Sequence, residues 1–523
     1  MSAPDVEVAV IGAGLAGLCA GVQLRRAGIT DFAIIERRGD VGGTWKVNTY
    51  PGVAVDVSSF NYSFSFTRYA RWSRAYAPGA EVGRYAEHIA TQYGLRSHIR
   101  FHTEVEALRW DAEAHLWRVE LAGGDTLTAR FVIHGPGGLS KPKRPAIEGL
   151  ESFSGAVMHT AEWDERVGLE GRRVGVIGTG ASAVQVVPSI ADRVAHLSVF
   201  QRTPIWVIPK LDFPIPPAAR ELLERVPGSY RAIRRMTGLP SALFFRLGTI
   251  HHRQLPFLRR TAERIARDHL SRQVRDPATR AALTPRYAFG CKRPALSSDY
   301  LRTFDRDDVS LVTDRIARVV PEGVVTEDGR MHALDVLILA TGFEVFELGN
   351  APPYPIVGES GRELGAFWHE ERYQAYQACT VPGWPNTFLL TAPYGLGGES
   401  YLAMVEAAVH HAIRVIGAAR RAGATYASVR EEAHAAYFDG IQRRLRHGVF
   451  QSGACGGSNS YYYSRHGDPV ALRPHLGPEM WWRSRFSPLR HYELRTRVAA
   501  HRAAADPPAR SPRDRADHAV LLS

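Results

Sequence analysis

Two glycine-rich segments of this sequence are each followed, at the same distance, by a charged residue. The first contains Gly12, Gly14 and Gly17, and Glu36 lies 19 residues beyond the last of these glycines. Glycines at these spacings let the backbone turn tightly and approach a pyrophosphate, and an acid at this distance can bond the hydroxyls of a ribose. The pattern predicts a site for a dinucleotide with an unphosphorylated ribose, for which FAD is the candidate.

The second segment has Gly178 and Gly180, with Ala183 in the third place. The same count of 19 residues from Ala183 leads to Arg202, a cation where the first copy has an acid. A cation there suits a 2′-phosphate, so the second site is predicted to bind NADPH. Arg202 alone could be an ordinary surface arginine, but the equal spacing favours the phosphate role. Three further residues complete the predicted loop: Thr179, Ala181 and Ser182.

Each glycine segment stands between a predicted strand and a predicted helix. Val6–Ile11 is an apolar run of strand length, Leu15–Arg26 has helical character, and Phe32–Ile35 predicts the next strand. Arg173–Ile177 and residues 195–200 repeat the two strands in the second copy. The predicted fold class is therefore α/β, with two Rossmann-like dinucleotide-binding domains and a mainly helical insertion.

At 523 residues the chain is too long for one ordinary core, so several domains are expected. Their predicted order is the FAD-binding domain, first part (1–140); a linker and the NADP-binding domain, first part (141–203); the helical insertion (204–285); the NADP-binding domain, second part (286–340); the FAD-binding domain, second part (341–500); and a disordered tail (501–523).

Charge and cysteine content argue against several classes of protein. The net charge of +12 comes from dispersed arginines, so no nucleic-acid surface is predicted. Cys19, Cys291, Cys379 and Cys455 are widely separated, which predicts buried, reduced thiols, no metal site and no flavin disulfide reductase. No secretion signal and no run of about 18 apolar residues was found. A cytoplasmic enzyme without membrane contact is expected.

The segment between the two copies carries a recognisable pattern: Phe153, Gly155, His159, Trp163 and Asp164. It resembles the fingerprint of type I Baeyer–Villiger monooxygenases, in the flavin-containing monooxygenase superfamily. Outside that family, His159 and Trp163 could be an ordinary pair on one helix face or could plug a linker. The closing Trp163 and Asp164 favour ketone oxidation over the amine and sulfide oxidation of related enzymes. The resemblance implies that the segment links the two domains and that its histidine influences their movement.

Two more segments, residues 42–66 and 289–294, are similar to the same family. The resemblance implies that Gly43 and Thr44 close over the flavin phosphates, and that Trp45 and Tyr62 wall the ring system. It places Asp56 beside the flavin, where the carboxylate orients a catalytic arginine.

That arginine is expected at Arg293, with Lys292 holding the NADP phosphate. Without the family, the pair would be solvated loop charges. Three further cofactor contacts are expected: Val105, Gln185 and Thr203.

The resemblance implies a monooxygenase that uses FAD, NADPH and O2 to convert a small-molecule ketone into an ester or lactone through a peroxyflavin. Arg293 would stabilise the anionic oxygens, and the chain would be a monomer or loose dimer. A sulfide or amine oxygenase and a non-catalytic flavin- and NADP-binding sensor remain open. The chain departs from the family pattern at Gly398 and Glu399 and at 460–463, both on the expected substrate side.

Overall fold

The computed structural model describes residues 3–241, 247–396 and 400–497. The predicted tail 501–523 and the departure at Gly398 and Glu399 lie outside these residues. One sheet has the strand order β17-β4-β5-β6-β1-β2-β3, and β18 also pairs with β6. Its strands are β1 (Val6–Ile11), β2 (Phe32–Ile35), β3 (Ile99–Arg100), β4 (Val105–Asp111), β5 (Leu116–Leu121), β6 (Thr126–His134), β17 (Ile356–Val357) and β18 (Thr387–Leu389).

A second, parallel sheet has the order β12-β9-β8-β16-β7. Its strands are β7 (Ala156–His159), β8 (Arg173–Ile177), β9 (His196–Phe200), β12 (Val309–Val312) and β16 (Val336–Leu339). Smaller sheets pair β10 (Val207–Ile208) with β11 (Ala295–Leu296); β13 (Ile316–Val320), β14 (Gly323–Thr326) and β15 (Met331–Ala333); and β19 (Tyr426–Val429) with β20 (Tyr492–Arg495).

The parallel registers bring the predicted cofactor residues together. β1 pairs with β2 so that Ile11 lies opposite Ile35, and the Gly12 amide donates to the Ile35 carbonyl at 2.8 Å. In the second sheet, β8 and β9 end together, and the Gly178 amide donates to the Phe200 carbonyl at 3.1 Å. Loops that follow adjacent parallel strands meet at one edge of the sheet. Both predicted strand, glycine loop and helix units are confirmed.

Helices cover both sheets and fill the segment between β9 and β11. They are α1 (Leu15–Arg26), α2 (Thr44–Val47), α3 (Gly79–Gln92), α4 (Ala181–Ile190), α5 (Pro217–Arg225), α6 (Ser229–Ser241), α7 (Gly248–Ile250), α8 (Pro256–Gln273), α9 (Pro277–Leu283), α10 (Leu364–Glu371), α11 (Tyr401–Arg421), α12 (Glu431–Leu445) and α13 (Gly477–Phe486). The α/β fold class with its helical insertion is the observed one.

Helix α11 corrects one prediction from the sequence. It is long and apolar enough to cross a membrane by length and composition, although no such run was expected. The apolar residues are interrupted by Glu406, His410, His411 and Arg414, so no unbroken stretch stands out. In the structure 67% of the apolar window is buried, and the helix packs with α1 and α3 in the core of the first sheet.

Two chain crossings connect the sheets, and they run side by side. The Lys143 amide donates to the Gly342 carbonyl at 2.8 Å, and the Glu344 amide donates to the Lys141 carbonyl at 3.0 Å. Lys141 also forms an ion pair with Glu344. The second sheet is therefore inserted into the chain of the first through a short antiparallel pair of linkers.

Candidate functional site

The first glycine loop can be built only from glycine at two of its positions. Gly12 has φ +93°, and a Cβ there would lie 2.8 Å from the Gly135 carbonyl oxygen. A Cβ on Gly17 would lie 1.8 Å from the Gly12 oxygen. Helix α1 begins directly after Gly14, and no side chain caps its N-terminus. The unpaired amides of its first turn can therefore receive an anionic group.

Glu36 lies against this loop, as its position after β2 predicts. Its carboxylate accepts from the Ala13 amide at 2.7 Å and from the Arg38 amide at 2.9 Å. The side chain is buried, and its two hydrogen bonds fix the loop. The remaining lone pairs of the carboxylate lie beside the glycine loop. Val105 begins β4, and the nearby Thr103 amide donates to the Glu36 carbonyl.

Gly43 and Trp45 form the opposite wall of this loop. Gly43 has φ +54°, and a Cβ on it would approach the Gly14 Cα to 3.1 Å, so the two backbones face one another closely. Thr44 follows, exposed, at the start of α2. The Trp45 indole donates to the Tyr62 hydroxyl at 2.8 Å, and the rings meet edge to face at 5.3 Å. Burial raises the pKa of Tyr62, which keeps the phenol protonated.

The second glycine loop differs from the first in having open space beside one of its glycines, Gly180. Gly178 has φ +124°, and a Cβ on it would lie 2.4 Å from the Ala340 oxygen. A Cβ on Gly180 would meet nothing within 4 Å, so open space lies where a phosphate would approach. Ala183 is fully buried and replaces the third glycine without conflict. The Thr179 hydroxyl donates to the Thr203 carbonyl at 2.6 Å, and Ala181 and Ser182 begin α4.

Arg202 and Lys292 supply two cations to this second loop. Arg202 follows β9 and is exposed, and Lys292 is half-buried. Burial first, and then the nearby charge of Arg202, lower the pKa of Lys292. Neither side chain has an acidic partner within ion-pair distance among the described residues. Two cations without a carboxylate suit a phosphate.

The Gln185 side chain has a different partner from the one expected. Its oxygen accepts from the Tyr50 hydroxyl at 2.8 Å, and its nitrogen donates to the Ala54 carbonyl at 2.9 Å. Both polar ends of the amide therefore hold the segment before Asp56 against α4. The residue connects the two dinucleotide folds, and its contact with a cofactor stays a prediction.

Asp56 and Arg293 form an ion pair, as the family resemblance implies. Arg293 Nε donates to Asp56 Oδ2 at 2.6 Å, and about a third of each side chain remains accessible. Burial would raise the pKa of Asp56, but the charge and hydrogen bond of Arg293 outweigh it and hold that pKa below its ordinary value. Among the described residues no second hydrogen bond to Arg293 is formed, so its terminal nitrogens are available to a reacting oxygen.

Three side chains near this pair carry no motif in the sequence. Burial raises the pKa of Tyr461 and Tyr462 and the nearby charge of Arg293 partly offsets this, while the two rings lie 5.0 Å apart, edge to face. Lys210 contributes to the low pKa of Asp56 and lies over the Tyr76 ring at 5.2 Å. The departure at 460–463 could have pointed to the tyrosines, but nothing in the sequence marks Lys210.

The fingerprint segment lies at the start of the second sheet, beside the linkers. His159 is fully buried at the end of β7, and its Nδ1 accepts from the Ala161 amide at 3.0 Å. Its ring meets Phe343 of the other linker at 6.0 Å, edge to face. The chain then makes a short 3₁₀ turn before Trp163, so the pair does not share a helix face. The interpretation as a helix-face pair is wrong because His159 ends a strand.

The other fingerprint residues have structural contacts. Phe153 is buried, and a Cβ on Gly155 would lie 2.3 Å from the Asp335 oxygen and 2.7 Å from the Phe153 ring. Trp163 packs against the core of the second sheet. Asp164 forms hydrogen bonds with the Arg166 side chain, which lower the pKa of Asp164 to about 2.

The prediction of four reduced thiols is wrong for two of them. Cys19 and Cys379 are free and buried, and burial raises the pKa of both thiols. Cys291 and Cys455 form a disulfide across 164 residues of sequence, with their Cα atoms 5.2 Å apart. A pairing created by tertiary folding leaves no spacing pattern to detect.

Comparison with known proteins decides the family. Residues 9–234 match the family model described as pyridine nucleotide-disulphide oxidoreductase. A Baeyer–Villiger monooxygenase of Streptomyces coelicolor is 38% identical over 512 residues, which are 96% of either chain. This chain belongs to the Baeyer–Villiger monooxygenase family. It is therefore an oxidoreductase, a flavoprotein monooxygenase that acts on a small molecule.

Solved structures agree with this membership. Oxidized steroid monooxygenase bound to NADP has a TM-score of 0.83 and 30% identity, covering 94% of this chain and 99% of that one. The OTEMO complex with FAD and NADP has a TM-score of 0.83 and 26% identity, covering 94% of this chain and all of that one. The Baeyer–Villiger fold thus extends over nearly the whole chain.

Proposed function

We propose that this Baeyer–Villiger monooxygenase uses FAD, NADPH and O2 to convert a ketone into an ester or lactone. The ion pair between Asp56 and Arg293 carries the proposal, because it fixes a permanent cation beside the predicted flavin site while leaving its terminal nitrogens accessible. A protein that only bound nucleotides would have no use for this arrangement.

The residues present fit both cofactors. The loop at Gly12 and Gly17 has no room for side chains, has uncapped amides at its helix and has Glu36 beside it, which suits the pyrophosphate and ribose of FAD. The loop at Gly178 has open space at Gly180 and two cations, Arg202 and Lys292, with no acidic partner in the part of the chain that the structure describes, which suits NADPH. Structural relatives with FAD and NADP bound support this pairing.

Bound FAD, reduced by NADPH, supplies the chemistry that activates O2. Arg293 has the task of stabilising negative charge on oxygen as the ketone carbonyl is attacked. A preorganised donor of this kind contributes about 3 to 4 kcal/mol to the transition state. Asp56 keeps the guanidinium in one orientation through a charge-assisted hydrogen bond, so Arg293 needs little rearrangement during the reaction.

Trp45 and Tyr62 form an aromatic wall within the electrostatic reach of Asp56 and Arg293. The indole N–H of Trp45 is satisfied by the Tyr62 hydroxyl, so the rest of the Trp45 ring offers an apolar face. An apolar wall excludes water from the anionic oxygens and strengthens the field of Arg293.

A ketone and thioether panel tests the function. Purified, FAD-loaded protein is mixed with NADPH and each compound, and NADPH consumption is measured with the product mass. We expect cyclic or aryl ketones to gain one oxygen as esters or lactones. Oxygen added only to thioethers or amines would assign the enzyme to the related sulfide and amine oxygenases instead.

A further inference from the structure

The disulfide between Cys291 and Cys455 joins two loops that both reach the proposed catalytic arginine. Cys291 immediately precedes Lys292 and Arg293. Cys455 precedes Tyr461 and Tyr462; Tyr462 packs in the same apolar cluster as both cysteines, and the charge of Arg293 is near enough to lower the pKa of both phenols. The cross-link therefore lies two residues from Arg293 on one side and six residues from Tyr461 on the other.

The cross-link lies inside an apolar cluster that connects distant parts of the chain. Cys291 is fully buried and Cys455 nearly so. The buried residues around them come from the position before β10, from α8, from the loop before Arg293 and from the C-terminal half of the chain; they include Trp206, Ala266, Phe289, Phe450, Tyr462 and Leu472. The Ala288 amide also donates to the Ala454 carbonyl at 2.9 Å. The two loops are held together covalently and by the backbone.

The other restraints on the loop that carries Arg293 are hydrogen bonds: Tyr287 bonds to Trp206 and Pro204, and the Phe289 amide donates to Glu263. Residues 284–294 contain no helix or strand, and Gly290 has φ +93°, with a Cβ there meeting Thr249 Cγ2 at 2.1 Å. On its far side, the one side-chain hydrogen bond of Arg293 among the described residues is with Asp56. The disulfide thus supplies the covalent anchor nearest to the guanidinium.

We infer that Cys291 and Cys455 are positioning residues for Arg293, and that cleaving their disulfide uncouples NADPH oxidation from oxygen transfer. The inference rests on the proposed function. With the loop loosened, the flavin would still be reduced by NADPH. Arg293, however, would be displaced from the position in which it stabilises anionic oxygen. Oxygen that is not transferred to the ketone would leave as hydrogen peroxide.

Cleavage of the disulfide is a two-electron reduction. A dithiol reductant gives two electrons and two protons, the S–S bond breaks, Cys291 and Cys455 become thiols, and the reductant becomes a disulfide. Cys455 is the less buried of the two cysteines, and Gly453 and Gly456 beside it are exposed, so a small dithiol would reach the bond from the side of this loop.

The first experiment counts thiols. Protein purified without reductant is denatured, alkylated and digested, and the peptides are identified by mass. We expect Cys19 and Cys379 to be alkylated, and the peptides of Cys291 and Cys455 to appear cross-linked. Alkylation of all four cysteines would show that the cross-link does not exist and would overturn the inference.

The second experiment measures ester and hydrogen peroxide formed per NADPH, before and after treatment with dithiothreitol and its removal. We expect the ratio of ester to NADPH to fall by roughly 10-fold, since a displacement of about 1 Å can cost 100-fold. Bound FAD, read from its absorption, should stay constant. Equal ratios in the oxidised and reduced protein would overturn the inference while leaving ketone oxidation established.

Variants supply the matched control. C291S and C455S should resemble reduced wild type, and the double variant should not respond to dithiothreitol at all. If these variants fail to fold, the comparison of oxidised with reduced wild-type protein still tests the inference. An absence of ester from every form, oxidised wild type included, would instead count against the proposed function.

Discussion

Asp56 Oδ2 and Arg293 Nε lie 2.6 Å apart, although 237 residues separate them in the sequence. Asp56 belongs to the first dinucleotide unit, and Arg293 follows the helical insertion of the second. The pair therefore forms only when both units are folded and in contact. Formation of the proposed catalytic pair thus depends on how the two domains are assembled.

We predict that Arg293→Ala keeps FAD and still oxidises NADPH, but forms almost no ester. The loss should be at least 100-fold in ester formation, as for removal of one oxyanion donor. NADPH oxidation, peroxide and ester are measured together. Arg286→Ala, in the same loop at an exposed arginine, is the control and should behave as wild type. Ester formation by Arg293→Ala near the wild-type rate would contradict the catalytic role.

Asp56→Asn should lower ester formation by roughly 10-fold or more, because a neutral amide holds the guanidinium less firmly.

The ion pair between Asp56 and Arg293 also predicts a pH dependence of the stability of the fold. Since folding lowers the pKa of Asp56 below 3.8, its contribution is fully present above about pH 4 and is lost as the pH falls through the lowered value. The difference in Tm between wild type and Asp56→Asn should therefore shrink in acid. A difference that grows as pH falls would contradict this assignment.

Arg202→Ala should raise the KM for NADPH by roughly 10-fold to 100-fold, the value of one or two charge-assisted hydrogen bonds. The KM for NADH should change little, because NADH lacks the 2′-phosphate. Steady-state kinetics with both nucleotides measures the ratio. Arg172→Ala, an exposed arginine of the same domain, serves as control. An unchanged preference would remove Arg202 from the phosphate site.

Gly178→Ala and Gly180→Ala should separate folding from binding in the second loop. A methyl group on Gly178 meets the Ala340 backbone at 2.4 Å at a positive φ, so Tm should fall. A methyl group on Gly180 meets no protein atom within 4 Å, so Tm should hold while NADPH binding weakens. Thermal unfolding and NADPH titration of both variants test the contrast. Normal NADPH affinity in Gly180→Ala would show that the nucleotide binds elsewhere.

The sequence predicted features whose determinants are local. The glycine spacing, the flanking strands and the place of Glu36 depend on short stretches of chain and were found where expected, while the role of Arg202 stays a prediction. The pairing of Asp56 with Arg293 could be expected only through the family resemblance.

Long-range contacts could not be predicted from the residues themselves. The Cys291 to Cys455 disulfide joins segments that carry no shared spacing, and Gln185 gives its amide to Tyr50 and Ala54 of the other unit. The approach of Lys210 to Asp56 likewise depends on how the insertion folds back. Such contacts are set by the tertiary packing of elements and not by local propensity.

The side-by-side linkers at 141–144 and 341–344 restrict how the two domains can move. A single tether would allow one domain to swing and twist in any direction. We expect two antiparallel tethers that are bonded to each other to bend together, which favours rotation about the bonded pair over rotation about other axes. His159, packed against Phe343 at this axis, is placed where a small displacement would change the angle at which one nucleotide faces the other.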